Sequence, residues 1–185
     1  MKKAILISIR PIWVAKILNG EKTLEIRKTF PKCKLPIDVY IYCTKENDLF
    51  KSYIRMGYFT TRSTADDMKY NGKGKVVAKF TLNKVEEHKV RVGKPYPYLI
   101  DCVKACLTND ELEDYAFVEG KGYQTLYAWH IDNLEIFDKP KELREFNSTK
   151  GFTTCEHCLF DIKTCNCEHC NSLTCAPQSY MFIEI

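Results

Sequence analysis

No apolar run in the chain approaches the ~20 residues needed to span a bilayer, so no membrane-spanning helix is expected. A secretion signal is not expected either. MKKAILISIRP has a charged start, but its apolar run is short and Arg10 interrupts it, which suits a first strand rather than a leader. Together these point to the cytoplasm. There is no internal repeat spanning the fold and no low-complexity tract. There is no Walker loop, no GxGxxG and no Ser-His-Asp arrangement, so the common phosphate-loop, dinucleotide and serine-hydrolase signatures are missing. A large charge excess is also missing. The net charge of +4 is a mild basic bias that permits an anionic partner without demanding one.

What is present fits one soluble domain. The chain has 185 residues, long enough to bury a real core. Apolar residues are 45% and charged residues 28%, the ordinary balance of a globular protein.

The most informative stretch runs from Ile5 to Lys28, ILISIRPIWVAKILNGEKTLEIRK. It reads as strand, helix, tight turn, strand. Pro11 stands where a first helical residue would, and Gly20 just past the end. Ile12, Trp13, Ile17 and Leu18 recur at helical spacing and predict one apolar face. In the flanking strands Ser8 and Arg10 share one face, and Glu25 and Arg27 share another. If the strands are neighbours, Arg10, Lys22, Glu25 and Arg27 are concentrated in a small volume. Strict alternation puts Lys22 with Leu24 and Ile26, away from Glu25, so Lys22 joins only if the turn re-aims it.

Gly20, Lys22, Glu25 and Arg27 fit the GxKxxExR pattern of ASCH domains, a branch of the PUA-like superfamily. ISIRP with its following helix resembles that family too. So does TLYAWHIDNLEIFDKPKELREF, which is similar to the family's closing strand and short helix. The resemblance implies an α+β fold, a small PUA-like β-barrel with flanking helices. It implies a cleft for RNA, a nucleotide or a modified base, lined by Arg10, Lys22, Glu25 and Arg27, with Trp129 or His130 opposite. One branch of the family removes the acyl group from an acetylated cytidine using a Lys, a Thr and a Glu. Lys22 falls at the Lys position, but Glu25 falls where that branch has Thr. A binding module is therefore the leading expectation and an amidohydrolase, with Lys22 and Glu25 catalytic, the alternative. Glu86 is a further carboxylate candidate for the hydrolytic case. The plain competing reading is a surface Lys-Glu-Arg network, worth about 0–1 kcal/mol per exposed pair. On that basis, replacing Lys22 or Glu25 is expected to leave stability nearly unchanged.

Along the rest of the chain, Val39 to Thr44 reads as a strand. In residues 45–74, Lys51, Tyr53, Arg55, Tyr58 and Arg62 interleave basic and aromatic side chains. That mix suits single-stranded nucleic acid and equally an insertion packed on the fold. Lys75 to Val90 reads as one long strand, straight or bent, ending near Glu86, Glu87 and His88. Thr108 with Glu111 is a capping box that opens a helix through about Tyr115. Thr125 to Phe137 reads as a strand, KPKELREF as a short helix opened by Pro140, and APQSYMFIEI as the last strand.

The chain has ten cysteines, six of them between Cys155 and Cys175. CEHC occurs twice, at Cys155–Cys158 and Cys167–Cys170, with Cys165 as a rival ligand. Two CxxC pairs bring four thiolates to one Zn²⁺, and a closed four-thiolate site is structural. Residues 150–176 are thus expected to form a zinc-bound insertion within a single domain 1–185. About one zinc per chain is expected on Cys155, Cys158 and two of Cys165, Cys167 and Cys170. Cys155→Ser should then destabilise the C-terminal region, because metal binding couples to folding. Metal analysis of protein purified without chelator checks this, and the absence of both zinc and iron overturns it.

Overall fold

The computed structural model describes residues 2–45, 72–89, 100–149 and 172–185. The basic and aromatic positions of 46–71 and the cysteines Cys155, Cys158, Cys165, Cys167 and Cys170 lie outside the described residues. Among the described residues no group of three metal-ligating side chains occurs. No described helix is long and apolar enough to cross a membrane.

Alternating Ile and Leu build the first strand, β1 (Lys3–Ile9), buried on both faces from Ala4 onward. Pro11 then opens α1 (Pro11–Leu18), whose chain ends on Asn19 and on Gly20 at φ +75°. The buried side of α1 is Pro11, Val14, Ala15, Ile17 and Leu18. The sequence periodicity had favoured Ile12 and Trp13 instead. Trp13 is partly buried, packed against the edge of the main core. After α1 come β2 (Leu24–Arg27) and β3 (Ile37–Cys43). β3 lies parallel to β1, as a strand returned by a helical crossover must.

The remaining strands are β4 (Val76–Leu82), β5 (Val85–Lys89), the short pair β6 (Phe117–Val118) and β7 (Gly122–Tyr123), β8 (Thr125–His130), β9 (Asp132–Lys141), β10 (Asn147–Ser148) and β11 (Tyr180–Glu184). They form a six-stranded sheet, β10-β11-β1-β3-β4-β9, and a three-stranded sheet, β2-β8-β5. Two helices, α2 (Cys102–Ala105) and α3 (Asn109–Ala116), cover the outer face of the smaller sheet. α3 starts on the Thr108–Glu111 capping box, with both reciprocal bonds made.

The architecture is sheet-dominated α+β. Among the described residues the strands make these two sheets and the separate β6–β7 pair rather than a closed barrel. The reason lies in one long strand pair. β4 pairs with β9, and β5 with β8. The chain bends between Leu82 and Val85 on one strand and at Ile131 on the other, so one ribbon serves both sheets. Asn133, at φ +48°, marks the bend, and Asn83 Nδ2 donates to Asp132 Oδ2 there at 3.1 Å. Lys75 to Val90 is accordingly two strands, and so is Thr125 to Phe137. KPKELREF is no α-helix: β9 runs through Lys141, and a single 3-10 turn, Leu143–Glu145, follows. Pro140 sits inside β9, the outermost strand of its sheet, where a missing N–H is tolerated.

Three apolar clusters hold these layers. The largest lies between the sheets and under α1, with Ile5, Ile7, Val39, Phe80 and Trp129 at its centre. A second covers the other face of the six-stranded sheet through Leu6, Tyr40, Phe146 and Leu173. The third joins Leu24, Ile26, Leu126 and Ala128 to Ala105, Leu112 and Ala116 of the two helices. Leu112 is fully buried there. Leu112→Ala should lower stability by about 2–5 kcal/mol, the range for buried Leu truncations. Urea unfolding checks it, and a loss under 1 kcal/mol would mean that α3 is not anchored through this residue.

Candidate functional site

β1 ends beside the start of α1, and β2 runs alongside. α3 faces them from the outer side of the smaller sheet. A cleft of about 500 Å³ lies between these elements. It is lined by Arg10 and Trp13 at the start of α1, Lys22 in the turn after it, Glu25 and Arg27 on β2, and Glu111, Asp114 and Tyr115 on α3. Ser8, Thr44 and Gln178 complete the polar lining. The Thr44 hydroxyl oxygen is buried and has no hydrogen-bond partner among the described residues.

The turn after α1 decides where Lys22 goes. The amides of Glu21 and Lys22 both donate to Lys16 O, at 2.9 and 3.0 Å, and β2 starts only at Leu24. Strand alternation therefore does not apply to Lys22. Its Nζ turns inward, donates to Ala105 O at 2.6 Å and lies 3.6 Å from Glu25 Oε2. Ala105 ends α2, so its carbonyl lacks an intrahelical partner, and Lys22 supplies one. The ammonium also stands 5.1 Å from the centre of the Trp13 ring, with Lys16 at 5.3 Å from the same ring, within cation–π range.

Glu25 is held from both sides. Arg27 Nε donates to its Oε1 at 2.9 Å. The same guanidinium donates through Nη2 to Ser8 O at 2.6 Å, bridging β2 to β1 where the two sheets are not joined by a ladder. Arg27 is thus a strut as well as a lining residue. Lys22 and Glu25 are only 2% and 6% exposed. The network is buried, which overturns the expectation of a weak surface ion pair.

Burial works against the ammonium. Desolvation lowers the Lys22 pKa from its ordinary 10.5, and the Glu25 carboxylate only partly offsets this.

Two other expected residues are elsewhere. Trp129 is fully buried in the core between the sheets, edge-on to Tyr180 at 5.4 Å. It pairs with Glu25 across the β2–β8 ladder, so it backs the site without lining it. His130 pairs with Leu24, and its Nε2 lies 3.2 Å from Glu86 Oε1. Glu86 is held below the usual carboxylate range, first by a hydrogen bond from Lys84. This Glu86 cluster sits on β5, outside the cleft lining. The sequence reading passed over Trp13 and Tyr115 as cleft residues. The signal for Tyr115 was its place on the capped helix; Trp13 was hidden because it counted as core.

Two solved structures resemble this fold over nearly the whole chain. One is an ASCH protein from Zymomonas mobilis, at 17% identity, covering 98% of this chain and 87% of that one, with a TM-score of 0.53. The other is a serine-to-alanine mutant of the same protein, at 16% identity, covering 98% and 88%, with a TM-score of 0.54. The fold is ASCH-like. No protein-family model matches the chain, and no curated protein is similar to it in sequence. In this chain the cleft lies beside the seam between the sheets, and Lys22, Glu25 and Arg27 line it.

Removing one member of a buried charge network leaves the others uncompensated, at a cost of about 3–5 kcal/mol. Lys22→Ala and Glu25→Gln should both destabilise on that scale in urea titrations. A loss below 1 kcal/mol would show the pair to be solvated. The pH dependence has a definite sign. Because the folded-state pKa of Lys22 is lowered, the unfolded chain binds more protons between that value and 10.5, so this residue makes stability rise with pH across that window. Lys22→Met should remove that part of the slope, measured as the difference from wild type between pH 8 and about 10.

Proposed function

We propose that the cleft binds a nucleotide unit, in single-stranded RNA or as a modified nucleotide. The observation that carries this reading is the pairing of Trp13 and Tyr115 with Arg10 and Arg27 around one cavity of about 500 Å³. That volume falls within the ~300–1,000 Å³ of small-ligand sites. Aromatic rings stack on bases, and guanidinium groups meet phosphates. Glu25 fixes the Arg27 fork before any ligand arrives, which reduces the ordering cost of binding. The ASCH-like fold supports the same reading through the family resemblance. A structural zinc on the clustered cysteines belongs to the proposal as its second part, supported by the two CEHC pairs.

One observation favours the alternative, an amidohydrolase acting on an acylated nucleoside. Lys22 is a buried amine of lowered pKa beside a carboxylate, the kind of group that serves proton transfer. Incubation with acetylated cytidine tests it: acetate release that Lys22→Met abolishes supports hydrolysis, and no release leaves binding alone.

Of the two tryptophans, Trp13 lines the cleft and Trp129 is in the core. Binding of short single-stranded RNA should therefore quench Trp13 emission, and Trp13→Phe should remove the signal. Affinity should fall as salt rises, since phosphate contacts release counterions. Arg10→Ala should weaken binding several-fold and flatten the salt slope by about one charge. Unmeasurable binding at low salt would overturn the RNA reading.

A further inference from the structure

The cleft has two chemically different walls. Arg10 precedes α1 and Arg27, on β2, reaches across to Ser8 of β1, whereas Glu111, Asp114 and Tyr115 belong to α3. Three carboxylates line the cavity, and two are already committed. Glu25 uses Oε1 for Arg27 and Oε2 for Lys22. Glu111 Oε2 accepts from the Thr108 amide and hydroxyl, as the N-terminal cap of α3 requires. Asp114 alone of the three has neither oxygen engaged among the described residues. It is exposed at the cleft wall and immediately precedes the Tyr115 ring on α3.

An ionised carboxylate only accepts hydrogen bonds. Two adjacent N–H donors on one base edge satisfy both of its oxygens. Guanine presents such a pair, N1–H and N2–H₂, on its Watson–Crick edge. Adenine N1 and cytosine N3 are acceptors beside their amines and would face the carboxylate lone pair to lone pair. Uracil offers one N–H flanked by two carbonyls. The basic wall opposite suits the phosphate of the same nucleotide.

Resting on the nucleotide-binding reading above, we infer that Asp114 is a specificity-determining residue that selects guanine in the cleft. The phosphate and stacking contacts serve any base; Asp114 supplies the discrimination. Single-stranded base recognition of this kind reads Watson–Crick edges that a duplex would hide.

The test uses the full chain and pentaribonucleotides UUXUU, with X guanine, hypoxanthine, adenine, cytosine or uracil, titrated at low salt. The wild type should bind the guanine pentamer roughly ten- to a hundredfold tighter than the adenine one, the discrimination expected of a bidentate base contact. Hypoxanthine, which lacks the N2 amine, should fall between them. Asp114→Asn replaces two acceptors with one acceptor and one donor, the pattern that matches adenine. It should erase the guanine preference and raise adenine binding, while thermal melting stays unchanged. Equal guanine and adenine affinities in the wild type, or a guanine preference that survives Asp114→Asn, would overturn this inference and leave the nucleotide cleft standing. Failure of every pentamer to bind would overturn both together.

Discussion

A carboxylate taken out of water needs partners for both oxygens, or its burial is costly. Glu25 is such a group, and the local structure is arranged around supplying those partners. Arg27 reaches it from two residues along the same strand. Lys22 reaches it because the turn after α1 abandons strand geometry. Each partner then has a second engagement that fixes another element. Arg27 ties β2 to Ser8 of β1, and Lys22 ties the turn to the end of α2. One buried charge thereby positions two sheets and a helix around a common cavity. The arrangement costs desolvation, visible in the lowered Lys22 pKa, and hydrophobic residues of similar volume would pack there at lower cost. A buried charged floor of this kind is characteristic of sites where polar ligands must be met rather than excluded.

The open seam explains why the cavity exists at all. A strand ladder between β2 and β1 would fill the gap with backbone hydrogen bonds. Here a single guanidinium crosses it. Side-chain bridging leaves room beside it, and Trp13, partly buried at the edge of the core, flanks that room. The bent ribbon of β4–β5 and β8–β9 makes the seam necessary, because it commits both sheets to different planes.

Signals carried by neighbouring residues were legible in the sequence. Pro11 and Gly20 bounded α1, the alternating isoleucines gave β1, and Thr108 with Glu111 opened α3. Motif spacing likewise singled out Lys22, Glu25 and Arg27. What could not be read depended on distant partners. Lys22 points inward because Ala105, far along the chain, offers a carbonyl. Trp129 is core because both sheets close over it, which periodicity within one strand cannot report. The splits at Asn83 and Ile131 leave the alternation of apolar residues nearly intact, so one strand and two look alike. The depth of the charge network was also hidden, since burial is a property of the whole fold.

β11 has a consequence for how this molecule is made. It pairs along its whole length with β1, Lys3 opposite Glu184 through Ile7 opposite Tyr180. It also bonds β10, and Ser8 Oγ donates to Pro177 O just ahead of it. β1 is therefore synthesised long before β11 and waits for it before that edge is covered. In the interval β1 is an apolar strand with an unpaired side, the species most prone to associate with other chains. Pairing of such high sequence separation is slow because loop closure must precede it. Synthesis of this fold thus favours conditions that shield nascent edges, and residues 180–184 act as the latch that ends the exposure.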